Sequence, residues 1–168
     1  IFDPARDANG PVPMRVTVPF EITVPSDADP IVTDVLALAR QAEADGDVQG
    51  ALDAWTGVCA RIGTHPLLSD DYTPRAHAIR LAARLPKPPA VPMMTEGKAR
   101  GIHNQMLRNI SRAANAEFAT VFDEALRVAP WYADAYRWRA SARAASGQRD
   151  GAMRDVRLFA LASPDSAS

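Results

Sequence analysis

Three histidines, one cysteine and two adjacent acid pairs are the residues whose types could do chemistry in this chain. His65, His77 and His103 are scattered. None stands four residues from another His or from Cys59, the spacing that would put two metal ligands on one helical face. No metal site is therefore expected. Cys59 has no second thiol to pair with, and its place between Val58 and Ala60 in a helical run reads as a buried, inert thiol. Asp123 and Glu124 are neighbours, which on a helix point about 100° apart, so they read as a solvated face rather than an acid/base pair. Asp70 and Asp71 read as solvated loop acids. No G-x-S-x-G, P-loop or G-x-G-x-x-G sequence occurs. The chain is expected not to be an enzyme, and no cofactor is expected.

What remains is recognition chemistry, carried by arginine and aromatic side chains. Trp138 stands among Arg137, Arg139 and Arg143, and is expected to be half-exposed. Trp55 and Trp131 read as packing residues. The formal charge of −1 on 168 residues gives no basic field for nucleic acid, and the halves differ only mildly in sign. A hydrophobic fraction of 47% suits one domain of ordinary size. No stretch approaches the roughly 18 apolar residues that cross a bilayer. The first residue is Ile1, so the chain is expected to be a processed form or part of a longer one.

The elements that would position these side chains are clearest at 131–164. Two helical runs meet at Ser146 and Gly147. Ala140 and Ala152 let the runs approach closely, while Tyr136, Val156 and Phe159 are expected to fill the seam. Gly147 can take the positive φ of a helix C-terminus, and Pro164 closes the second run. Such a pair cannot bury its apolar face alone and should stack on another.

This run resembles a tetratricopeptide repeat (TPR), a helix-turn-helix unit with a period of about 34 residues. Ala140 falls on the small position of the family's first helix, Gly147 on its turn, Ala152 on the small position of its second helix, and Pro164 on its terminal proline. Arg139 departs from the usual Leu and Phe159 from the usual Ala. Residues 31–66 repeat the pattern, with Ala39, Gly46, Ala51 and Trp55 corresponding to Ala140, Gly147, Ala152 and Val156. The offset of about 101 residues is close to three periods. Between them, Phe122, Ala125, Leu126 and Pro130 match the second half of a repeat, whereas Gln105 and Met106 replace the residues expected in its first half. The resemblance implies that first helices line a peptide-binding groove. Arg40, His103, Leu107, Arg137 and Ser141 fall on its groove-facing positions. An arginine fork there could hold a carboxylate with two parallel hydrogen bonds.

Residues 1–25 read differently. Val16, Val18, Phe20, Ile22 and Val24 alternate as in a half-buried strand, and Pro19 confines it to an edge or bulge. Phe2, Pro4, Ala5, Gly10, Pro11, Val12 and the run 15–22 are similar to the end of the TonB C-terminal domain. That family works in the periplasm of Gram-negative bacteria, so the resemblance implies a periplasmic or envelope-associated protein. The alternative function it implies is a part in an energy-transduction assembly, with this strand joining a sheet.

Together these readings predict an all-α, TPR-like array of helix hairpins with a short β-like N-terminal arm. The expected divisions are an arm at 1–25, a hairpin and third helix at 26–85, a Pro-rich linker at 86–94, and TPR-like helices at 95–168. Asp29 and Pro30 start the first helix, Thr73 caps the third, and Thr95 caps a helix over 96–112. The expected function is non-enzymatic binding of a protein or peptide partner.

Overall fold

In a computed structural model, the structure describes residues 6–7, 10–11, 30–62, 72–108 and 112–163. The fold is all-α. Seven helices occur among the described residues: α1 (Pro30–Ala44), α2 (Val48–Ile62), α3 (Tyr72–Arg84), α4 (Met93–Met106), α5 (Arg112–Val128), α6 (Ala133–Ala145) and α7 (Arg149–Ala162). Outside them, Arg6–Asp7 (β1) pairs antiparallel with Gly10–Pro11 (β2). The strand expected over 16–24 lies outside the described residues, as does Pro164.

Two of the turns are built the same way. Gly46 and Gly147 have φ of 77° and 88°, a conformation that costs a side-chain-bearing residue but not glycine. At the first turn, the Asp47 amide donates to the Ala42 carbonyl at 3.1 Å and the Gly46 amide to that of Glu43 at 3.3 Å. At the second, Gln148 donates to Arg143 at 2.8 Å and Gly147 to Ala144 at 3.0 Å. Both are Schellman closures, which satisfy carbonyls the helix end would otherwise leave unpaired. Turns this short fold α1 back along α2, and α6 back along α7. Asp47 then starts α2, its carboxylate accepting from the Gly50 amide at 2.9 Å.

Helices adjacent in sequence pack on one another, except that α3 does not touch α4; it lies against α2 and α7, and α2 also reaches α5. The reason is in the composition of α3, which is apolar on two sides. Ala78, Leu81 and Ala82 join Ala39, Ala51, Leu52, Trp55 and Val58 in one buried cluster. Ala76 and Ile79 join the larger cluster of α4 to α7, centred on Phe122, Leu126, Tyr136 and Trp138. The proline-rich run after α3 is not helical, since proline removes the donors a helix needs. Val91 packs from it onto the larger core.

Three expectations are corrected. Helix α4 runs Met93–Met106 rather than 96–112: it starts before Thr95 because Pro92 in extended conformation (φ −56°, ψ 132°) already accepts the first helical bond, from Glu96 at 2.9 Å, and it ends in a turn at Leu107. Val156 does not fill the seam between α6 and α7; it faces solvent. Trp138 is buried, at 5% exposure, because Arg139 and Arg143 turn inward and only Arg137 turns out.

Candidate interaction surface on helices α4 and α6

Polar and charged groups of α4 and α6 gather over a buried aromatic cluster. From α4, Glu96, Arg100 and His103 recur at one-turn spacing; from α6 come Asp134, Arg137 and Ser141. Among the described residues these charges pair within their own helices: Arg100 donates to Glu96 at 2.6 Å and Arg137 to Asp134 at 2.9 Å. Exposed pairs of this kind contribute about 0.2–1 kcal/mol, so a ligand could displace either acid at small cost.

Beneath this layer lies an aromatic cluster. The His103 ring stacks on Trp138 with centroids 4.6 Å apart and planes 13° from parallel. Tyr132 meets Trp138 edge-on at 5.9 Å, and Phe122 closes the far side. Three polar atoms of the cluster, His103 Nδ1, Tyr132 Oη and Trp138 Nε1, are buried without a hydrogen-bond partner among the described residues. Burial, then the neighbouring Arg137 charge, lowers the His103 pKa, so the neutral ring is favoured. Burial and the nearby carboxylates of Asp134 and Glu96 raise that of Tyr132.

Of the five groove candidates, the structure brings His103, Arg137 and Ser141 to this region. Ser141 donates to the Arg137 carbonyl at 3.2 Å and also borders the space between α6 and α7. Leu107 is exposed just past the end of α4. Arg40 is exposed on α1, which reaches α2 and α3 but packs on neither α4 nor α6, and so lies apart from the other four. The repeat residues Ala39, Ala51, Trp55, Ala140 and Ala152 are buried.

Two further constellations escaped the sequence. Glu43 of α1 accepts from Trp55 Nε1 at 3.0 Å and from His77 Nδ1 at 2.9 Å, and the His77 ring stacks on Trp55 at 4.3 Å. One carboxylate therefore ties three helices together. The second is an ion network. Buried Arg139 holds Asp155 through two nitrogens and also donates to Asp123, while Arg143 Nη1 adds a 3.3 Å bond to Asp155. Asp123 is thus partnered, not merely solvated, and Glu124 pairs with Lys98. Both acids lie 16 residues from Arg139 on neighbouring helices, a separation that no sequence periodicity marks.

Among the described residues there is no group of three His, Cys, Asp or Glu side chains that could hold a metal ion, and no helix long and apolar enough to cross a membrane. Cys59 is buried. No family model, curated protein or solved structure matches the chain.

Proposed function

We propose that this chain is a non-enzymatic protein-interaction module of TPR-like helix hairpins, binding an extended peptide or partner segment across α4 and α6. One observation carries the reading. Among the described residues, His103, Tyr132 and Trp138 form an aromatic floor with unpartnered polar atoms, beside an Arg137 held by a local, exposed acid. Buried polar groups without partners are uncommon and costly, and they collect where something other than packing has shaped a surface. The turns at Gly46 and Gly147 support the repeat character of the hairpins. Arg137 offers a planar fork to a carboxylate, and the stacked His103 ring offers an aromatic edge to an adjoining side chain. Peptides selected from a random display library on the whole chain test this. Enriched peptides should bind Arg137→Ala more weakly while that variant melts at the unchanged temperature; equal binding would remove the groove assignment.

A second reading is part of an envelope energy-transduction assembly, with a periplasmic location. The pairing of Arg6–Asp7 with Gly10–Pro11 favours it, since it falls within the segment similar to a TonB C-terminal tail. A pull-down from a Gram-negative envelope fraction, with the whole chain and with a chain lacking residues 1–25, tests it. Capture that depends on 1–25 supports this reading; capture indifferent to them counts against it.

A further inference from the structure

We propose that the open groove between α6 and α7 takes helix α1 of a second copy of this chain, joining copies head to tail. The two hairpins of the same molecule show what the groove lacks. In the first, the seam floored by Ala39, Ala51, Leu52 and Trp55 is closed by α3, which packs Ala78, Leu81 and Ala82 onto it and reaches Glu43 of α1 through His77. The matching positions of the second hairpin, 101 residues further on, are Ala140, Ala152, Met153 and Val156. Together with Ser141 and Ala144 these line a groove of about 430 Å³ that no described helix enters. Met153 and Val156 are 57% and 49% exposed, an unusual state for large apolar side chains aligned along a seam.

The occupant is chosen by fit. Helix α1 packs on α2 and reaches α3 through Glu43, and among the described residues its outward stripe, Asp34, Leu38, Gln41 and Asp45 at one-turn intervals, is exposed. Leu38 is 65% exposed, with Asp34 one turn before it and Asp45, which accepts from Gln41 at 2.8 Å, two turns after it. The groove has the complementary rim: Arg149 at its turn end and exposed Arg157 one turn beyond Met153. An apolar knob between acids and an apolar slot between arginines match in both shape and sign. Because knob and slot are different surfaces, the contact is heterologous and can be repeated from copy to copy.

Light scattering of the whole chain across a concentration series tests this. Mass should rise above the monomer. Met153→Glu, Val156→Glu and Leu38→Glu should each return it to monomer with unchanged helicity, since all three side chains face solvent. An equimolar mixture of Met153→Glu and Leu38→Glu should form a dimer and nothing larger, because one intact groove and one intact Leu38 remain. Arg149→Glu should weaken association at least about tenfold, and adding Asp45→Lys should restore it. A chain that stays monomeric at every concentration overturns the proposal. So does association that survives the single variants, or a mixture that fails to pair.

Discussion

Arg139 and Asp155, sixteen residues apart on α6 and α7, face each other with about 1% of either side chain exposed, Nε donating to Oδ2 at 2.9 Å. Burial alone would lower the arginine's pKa, but the charge and hydrogen bonds of Asp155, with Asp123 beyond, raise it above the ordinary value. The ion is therefore kept charged inside the seam. Tyr136 lies beneath the guanidinium at 5.5 Å and donates to the Pro130 carbonyl at 2.8 Å.

Removing one partner of this pair should cost far more than removing both. Asp155→Ala leaves a buried cation short of its main acceptor, and about 3–5 kcal/mol of stability should go. The joint change Arg139→Leu with Asp155→Leu removes the buried pair, leaves Arg143 with Asp123 at 3.7 Å, and should recover much of that loss. Urea unfolding of the three proteins measures it.

Glu43 should matter through the groups it leaves behind. With Glu43→Ala, the buried Trp55 Nε1 and the His77 Nδ1 lose their shared acceptor. A loss of about 1–3 kcal/mol is expected, with a shift in indole fluorescence that follows the loosening of α1 from α3.

Gly46 and Gly147 should respond alike. Alanine at either must hold a positive φ, at about 1–2 kcal/mol. If the two turns do the same work, the losses should agree with each other and add in the double variant, which thermal melts can check.

The His103 shift gives a pH dependence of known sign. The folded-state pKa lies below the unfolded value of about 6.5. Below that value the unfolded chain therefore binds more protons than the folded one, and stability falls as pH falls. His103→Phe, which keeps a ring on Trp138, should flatten the decline in urea midpoint below pH about 6.5; an unaltered slope would assign the titration elsewhere.

The hairpins were legible in the sequence because their cause is local. A glycine at the elbow with small residues on either side is written into Ala39, Gly46 and Ala51, and again into Ala140, Gly147 and Ala152. The burial of Arg139 was not legible, since an arginine is ordinarily solvated and its acids sit on two other helices. Trp138 was misjudged for a related reason. Its three arginine neighbours look like a polar setting in sequence, yet on a helix Arg139 and Arg143 turn inward with it. Within the candidate surface, His103 and Arg137 came from repeat register alone. Tyr132, Glu96 and Asp134 needed the packing of α4 on α6, which no periodicity in either helix encodes. The placement of α3 against α7 also depended on a contact between distant segments.

Hydrogen exchange of the whole chain, with and without a library-selected peptide, tests the binding surface most directly. Slowed exchange in α4 and α6 around His103 and Arg137, lost when the same peptide meets Arg137→Ala, is the expected result. Protection confined to α1, α2 and α3, or equal protection in the variant, would contradict it.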